Sequence, residues 1–321
     1  MILEKIVLVT RKTRLEGLVE RFNSRSQAKF VIERAGGDYS EYEREDSAYR
    51  RALDVLRRSL QFGLKFQALE RSLVPTCLFA PTDLVVAAGQ DGLVANTAKY
   101  VGAQPLLGVN PDPERFDGVL LPFRPAEARA AVGRVLDGKA RFRAVTLAEA
   151  VLDDGQRLLA FNDLFVGARS HVSARYRIEA GGVAEEQSSS GVLVSTGAGS
   201  TGWLSSVFNM AAGLARFGGV AAPRALRLGW EDPRLVFVVR EPFASRHSRA
   251  GIVAGVLEAG AELVLESHMP QGGVVFSDGV EADFLEFGSG ARARIRAAER
   301  RARLVVNELR PGAPGDSMSA Q

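Results

Sequence analysis

An α/β N-terminal domain built on a parallel sheet, followed by a β-rich C-terminal domain, is the fold class that this 321-residue sequence predicts. Three observations predict it. Apolar β-branched runs near the start ("KIVLVT", "DLVVAA", "PLLGVN") are separated by stretches with helical spacing, the pattern of strands and crossover helices. After residue 139 the spacing changes to period two, in short runs divided by Gly, Asp and Ser clusters, the texture of antiparallel strands. With 46% hydrophobic and 25% charged residues, the chain has an ordinary globular balance and length enough for two cores.

The elements follow in order. "KIVLVT" (5–10) is a strand, and 13–35 reads as helical. "EREDSAYRRALDVLRRSLQFG" (43–63) is a firmer helix, with Leu53, Leu56 and Leu60 on one face, acids leading, basic residues following and Gly63 as its stop. "LKFQALE" and "DLVVAA" (83–88) are strands, a helix covers about 92–101, and "PLLGVN" is a further strand. "PAEARAAVGRVLDG" (125–138) closes the first domain as a helix with Pro125 at its start and Gly138 at its end. The second domain, 139–310, contains "ARFRAVTLAEAVL", "RLLAFNDLFVGA", "HVSARYRIEA" and "SSGVLVST" as strands. One helix interrupts it at about 200–214, and strands resume from 234 to 308. The tail 311–321 has no core-forming residues and is expected to be disordered.

Bulk chemistry narrows the function. No apolar run approaches the roughly 20 residues that span a bilayer, and the opening "MILEKIVLVT" carries an acid and reads as a strand. Neither a secretion signal nor a membrane partner is expected, which favours the cytoplasm. One cysteine, Cys77, and three scattered histidines provide neither a disulfide framework nor a zinc cluster. Of 41 basic residues only six are lysine. That bias suits phosphate recognition by guanidinium, although genome composition accounts for most of it. No basic stripe with interleaved aromatics points to nucleic acid.

Two glycine loops carry the chemistry. "GQDG" (89–92) sits at the carboxyl end of a buried strand, where ligands collect in α/β sheets. Asp91 is either a carboxylate that takes a hydroxyl proton beside phosphates cradled by Gly89 and Gly92, or a cap on the following helix. "STGAGSTGW" (195–203) contains a formal G-x-G-x-x-G at Gly197, Gly199 and Gly202. A dinucleotide fingerprint of that type needs an acid about 20 residues further on, and none occurs between Trp203 and Trp230. The loop is either an anion- or hydroxyl-binding strand-to-helix turn or a glycine turn packed on a neighbour.

In order, "AAGQDGLVANTA", "GVNPDPERFDGVLLP", "AFNDLFVGARSHVSARYRIE" and "SSSGVLVSTGAGSTGW" resemble the motif series of the NAD kinase family: a Gly-Gly-Asp-Gly loop, an Asn-Glu pair and a Gly/Ser/Thr-rich loop. The "GVN-DPER" stretch, the "SSG" lead-in, the Trp after the last loop and the opening "VLVTRKTRLE" resemble the mitochondrial-type members in particular. The similarity runs from residue 5 to about 305. It implies an NAD kinase/diacylglycerol kinase-like fold with a cleft between its domains, usually in a homodimer or higher homo-oligomer. The implied activity is phosphorylation of the adenosine 2′-hydroxyl of NAD, with ATP and Mg²⁺ or another phosphoryl donor such as polyphosphate. Asp91 falls on the catalytic aspartate, with Gly89 and Gly92 around it. Asn162 and Asp163 fall on the nucleoside-holding pair, Ser200 and Thr201 on the dinucleotide loop, and Trp203 on its aromatic wall. NAD and NADH are not distinguished.

The chain also departs from the pattern. Gln90 replaces the second glycine of the loop, and Leu93 stands where a threonine is usual. A glutamine at a position needing positive φ or close phosphate approach would cost roughly 1 kcal/mol and crowd the ligand. Asp163 is one methylene shorter than Glu. "FSDG" (276–279) resembles a late Asp-Gly of the family and also reads as a plain hairpin turn. These departures leave open a second reading, a dinucleotide-binding protein with a decayed transfer loop, and because Gly-Gly-Asp-Gly loops also serve lipid and sugar kinases a third is a kinase for a different acceptor.

Overall fold

The computed structural model describes residues 2–307. The chain divides into two compact units: the described residues of Met1–Arg143 together with Arg303–Gln321, and Ala144–Ala302. The expected disordered tail, 311–321, lies outside the described residues.

The first unit begins with β1 (Lys5–Thr10), then α1 (Arg14–Phe22), α2 (Arg25–Arg34) and α3 (Tyr39–Ser59). The strand β2 (Lys65–Glu70) and a 3-10 turn at Arg71–Thr76 lead to β3 (Asp83–Ala88), α4 (Asp91–Ala98), β4 (Pro105–Val109) and α5 (Ala128–Leu136). The order β2-β1-β3-β4 is parallel throughout, as crossover connections require. All six residues of β3 are buried, because helices cover it from the sides. The core packs Leu56 and Leu60 of α3 and Ala131 and Val132 of α5 against Ile6, Leu8, Leu84, Val86 and Leu107.

Several boundaries differ from the sequence reading. The helix expected over 43–63 starts at Tyr39, where Asp38 caps it by accepting a bond from Ser40 N–H, and ends at Ser59. Gly63 takes its positive φ of 75° in the turn beyond. The helix expected over 92–101 is Asp91–Ala98, and the one expected over 125–138 opens with a 3-10 turn at Pro125–Glu127.

The second unit is a β-sandwich. It comprises β5 (Phe142–Leu152), which begins two residues before the unit does, β6 (Arg157–Ala160), β7 (Asp163–Ala168), β8 (Ala174–Ala180), β9 (Val183–Ser189) and β10 (Val192–Ser195). After α6 (Trp203–Phe217) come β11 (Leu235–Val239), β12 (Ala254–Leu257), β13 (Leu263–Ser267), β14 (Gly273–Ser277), β15 (Val280–Glu286) and β16 (Arg292–Val305). One antiparallel sheet runs β12-β11-β10-β7-β14-β15, and the other places β13 between β16 and β8-β9, with β5 and β6 beside β16. Their inner faces share one core that includes Leu164, Val166, Tyr176, Val194, Phe237, Leu265 and Ile295. The final residues of β16, from Arg303, belong with the first unit, where they pair in parallel with Pro105 and Leu106 of β4.

Two corrections matter for function. "RLLAFNDLFVGA" is two strands, β6 and β7, and the break falls at Phe161–Asn162. The helix placed at about 200–214 is α6 at Trp203–Phe217, preceded by a 3-10 turn at Ala198–Thr201.

Candidate functional site

In the first unit, β3 delivers the chain to Gly89, whose N–H donates to the Val109 carbonyl at 3.2 Å. A Cβ at Gly89 would meet Leu93 Cδ2 at 2.8 Å, so the loop turns tightly over the buried Leu93. Gln90 is the N-cap of α4, with φ −112° and no side-chain bond to the helix. That is ordinary extended backbone, so the position does not need a positive φ and glutamine brings no conformational strain. Gln90 and Gly92 are exposed, while Leu93 is core.

Asp91 is the first helical residue, and the helix cap is Gln90, so the capping reading of Asp91 does not hold. Instead the half-buried carboxylate accepts a 2.7 Å bond at Oδ1 from the N–H of Leu120. That donor comes from the "GVNPDPERFDGVLLP" stretch. Buried Asn110 laces this excursion together. Its N–H donates to the Phe123 carbonyl at 2.8 Å, its Nδ2 to the Phe116 carbonyl at 2.8 Å, and its Oδ1 accepts from Asp112 N–H at 3.0 Å. Gly108 lets the chain pass over β4, since a Cβ there would run into the Leu120 carbonyl. On the other flank, the buried Tyr49 hydroxyl donates to the Ala88 carbonyl at 2.9 Å and accepts from Arg11 N–H at 2.8 Å, tying the ends of β3 and β1. Burial pushes its pKa up to about 12, so it stays a neutral donor.

In the second unit, three distant segments meet. Asp278 sits in the β14–β15 hairpin turn with φ 53°, a left-handed conformation uncommon for a residue with a side chain. Its carboxylate accepts from the N–H groups of Phe161 at 3.0 Å, Asn162 at 2.6 Å and Asp163 at 3.3 Å. "FSDG" is therefore a hairpin turn that also grips the Asn162–Asp163 corner. From the other side, Thr196 N–H donates to the Asn162 carbonyl at 2.9 Å and Thr196 Oγ1 to the Phe161 carbonyl at 2.6 Å. Gly199 lies against the same corner. A Cβ there would strike the Asn162 carbonyl, with Ser195 Oγ at 2.6 Å and Asp163 Oδ1 at 2.7 Å. Gly197 likewise packs on the Gly229 carbonyl. For these two glycines the packed-turn reading describes the structure.

The sequence-predicted residues of this loop separate by environment. Ser200 is buried, donating to the Thr196 carbonyl and accepting from Leu228 N–H, both at 3.3 Å. Thr201 is exposed, Trp203 and Asn162 are half-buried, and Asp163 is buried. Burial pushes the Asp163 pKa up to about 7. The neighbouring Ser195 hydroxyl offsets part of this, and the Asp278 charge adds to it. That hydroxyl is aimed at the Thr196 carbonyl at 3.3 Å and leaves Asp163 Oδ1 buried without a hydrogen-bond partner. The Trp203 ring stacks on Phe165, centroids 5.7 Å apart and planes 11° from parallel.

Sequence reasoning missed Leu120, Asn110, Thr196 and the gripping role of Asp278. Only "FSDG" and "GVN-DPER" offered a signal, and neither revealed what it would touch.

This fold is that of the NAD kinases. In shape the chain is similar to a yeast NADH kinase solved with NADH, with a TM-score of 0.56 and 15% identity, covering 96% of this chain and 84% of that one. It is also similar to an NAD kinase from Archaeoglobus fulgidus solved with ATP, with a TM-score of 0.53 and 16% identity, covering 94% of each chain. In sequence it is similar to the mitochondrial NAD kinase 2 of Rattus norvegicus, 25% identical over 75% of this chain and 74% of that protein. The Homo sapiens NAD kinase 2 is also 25% identical, over 75% of this chain and 71% of the relative. No family model matches the sequence. The resemblance drawn from the ordered motifs thus holds, including its mitochondrial-type character.

Proposed function

We propose that the protein is an NAD kinase, transferring the terminal phosphoryl group of ATP to the adenosine 2′-hydroxyl of NAD to give NADP and ADP. The observation that carries this is Asp91. It stands half-exposed at the start of α4 in the glycine loop, with Oδ1 fixed by Leu120 N–H, so that Oδ2 is left to accept a proton. In this reading the acceptor hydroxyl gives its proton to Asp91 as its oxygen bonds to the terminal phosphorus. The bond from that phosphorus to the ADP oxygen breaks in the same transfer. Gln90 supplies no side-chain cap, and with the Leu93 N–H taken by the Gln90 carbonyl at 2.9 Å the N–H groups of Asp91 and Gly92 are the ones left for an anion.

Mg²⁺ fits this loop as an ion carried mainly by the triphosphate. Mg²⁺ ordinarily keeps several waters beside phosphate oxygens, so the triphosphate and water would hold it while Asp91 Oδ2 stays with the hydroxyl proton. Bound there, it would neutralise charge on the transferring phosphates. Asn162, Asp163 and the 195–203 loop would hold the dinucleotide. Asp163, with a pKa near neutrality, can both accept and donate a hydrogen bond.

The Asn162–Asp163 pair and the 195–203 loop speak against a lipid or sugar acceptor, and the reading with a decayed loop rested on Gln90 and Leu93. Gln90 is unstrained and exposed and Leu93 is core, so neither disables the loop backbone. We include in the proposal a cytoplasmic location and a homo-oligomer. The exposed apolar side chains Met210, Leu214 and Phe217 on α6 support the oligomer. The test is incubation of the pure protein with NAD, ATP and Mg²⁺, with NADP read by an NADP-specific dehydrogenase. NADP in step with ADP is expected. Hydrolysis of ATP without NADP, or no reaction with any donor, overturns the reading.

A further inference from the structure

Several arginines of this protein are held by acids: Arg11 and Arg14 bind Glu45, Arg25 and Arg50 bind Asp46, and Arg234 binds Asp232. Others that make no such bond, among them Arg51, Arg169 and Arg175, are exposed, whereas Arg240 is not. Among the described residues its guanidinium has neither an ion pair nor a hydrogen bond. It lies over two rings, 5.1 Å from the Trp203 centroid and 5.9 Å from that of Phe165. It is half-buried, with its charge unneutralised.

The backbone around it is built to hold that position. Arg240 follows β11, its N–H donates to the Gly191 carbonyl at 2.8 Å, and its carbonyl accepts from Ser190 N–H at 2.9 Å. Gly191 has φ 102°, and a Cβ there would lie 2.6 Å from the Phe165 ring, so the glycine of the "SSG" lead-in makes room for that ring. The next residue, Glu241, is held at φ 49°, a left-handed backbone with a cost that non-glycine residues usually avoid. Strain of this kind concentrates at sites where a side chain must be aimed. Phe165 and Asp163 are two apart on β7 and therefore share a face of the strand. Leu164 and Val166 point to the sandwich core from the opposite face. Arg240, Trp203 and Phe165 thus form one cation–aromatic platform on the face that carries Asp163.

We propose that Arg240 binds the diphosphate bridge of the dinucleotide, with Trp203 and Phe165 holding its guanidinium flat. This rests on the reading of the second unit as the dinucleotide site. The chemistry selects the group: in oxidised NAD the nicotinamide ring is cationic and the adenine neutral, so the diphosphate is the one anion an unpaired guanidinium can take.

The test is calorimetry of wild type, Arg240→Gln and Arg240→Lys with ADP-ribose, which carries the diphosphate, and adenosine, which does not. In Arg240→Gln the ADP-ribose affinity should fall roughly tenfold or more, the scale of one lost charge-assisted contact, while adenosine binds as before. Raising the salt concentration should weaken ADP-ribose binding to wild type and barely affect the glutamine variant. Arg240→Lys keeps the charge without the planar stack and should fall between the two. If Arg240→Gln melts well below wild type, the lysine variant carries the comparison, and an ADP-ribose affinity equal to wild type overturns the proposal. Equal loss for ADP-ribose and adenosine shows a structural role and overturns it too, as does a wild type that binds no ADP-ribose. A wild type that binds ADP-ribose through Arg240 yet forms no NADP refutes the kinase and leaves this inference standing.

Discussion

The glycine loop of the first unit and the Asn162–Asp163 corner of the second come from one motif series, yet they are built on opposite physical principles. Around Asp91 the polar groups face outward: Gln90 and Gly92 are exposed, and a single backbone N–H steadies the carboxylate. Around Asn162 they face inward. Asp278, Thr196 and Ser200 are consumed in hydrogen bonds to the backbone, and two glycines are small because other chain segments press against them. The loop is arranged for chemistry on a rigid strand end, and the corner is arranged for shape. Substitutions in the loop should therefore alter turnover without altering stability, and substitutions in the corner should alter both.

The largest effect tests the loop. Asp91→Asn should lower kcat by roughly 10²–10⁴-fold, the usual contribution of a positioned proton acceptor. Its amide can no longer take the proton, but Oδ1 can still accept from Leu120. Melting temperature and NAD affinity should stay near wild type. Retained turnover would remove Asp91 from the chemistry, and a large drop in stability would erase the contrast with the corner.

Next comes the corner. Asp278→Ala strips the acceptor from three backbone N–H groups, and leaving a buried donor unmatched costs about 1–3 kcal/mol each. An unfolding free energy lower by about 3 kcal/mol is expected in urea titrations, together with weakened NAD binding as Asn162 loses its support. Unchanged stability would mean that water replaces the carboxylate freely and that the corner holds its shape by packing alone.

Asp163 sharpens the comparison through pH. Its folded pKa, about 7, lies above the ordinary carboxylate value because burial disfavours the charge. Between those two values the folded state holds a proton that the unfolded state has released, so stability falls as pH rises through this window. Over pH 5 to 8 the loss should be on the order of 2 kcal/mol. Asp163→Asn, which imitates the protonated acid, should flatten that part of the profile. Parallel pH curves for variant and wild type would show that Asp163 does not titrate in this range.

How far the sequence reveals these two regions follows from the same difference. The strand, loop and helix around Asp91 are contiguous, so local periodicity located "DLVVAA", the turn and the start of α4 to within a residue, and the helix end to within three. The corner is made by contacts 115 to 117 residues apart in the chain, invisible to any local pattern. That is why Phe161–Asn162 read as the middle of one strand when it is the break between β6 and β7. The Leu120 donor was hidden for a related reason, because a backbone N–H has no identity in a sequence. The family motifs indicated which residues to compare, but the packing reason for Gly197 and Gly199 came only with the structure.

Gln90 supplies the smallest effect. Its extended φ of −112° and exposed side chain mean that a glycine relieves no strain, and it makes no cap bond that a glycine would remove. Glycine is itself a fair N-cap, so stability should change by no more than about 0.5 kcal/mol. What changes is access: the side chain stands beside the uncapped first turn of α4, where the donor phosphates are proposed to lie. Gln90→Gly should lower KM for ATP a few-fold and leave kcat and KM for NAD alone, as steady-state kinetics with varied ATP will read. A rise in KM would instead make the glutamine amide a phosphate ligand standing in for a backbone contact. No change in any constant would place the donor phosphates away from the loop, and the assignment of Asp91 would then rest on the Asp91→Asn result alone.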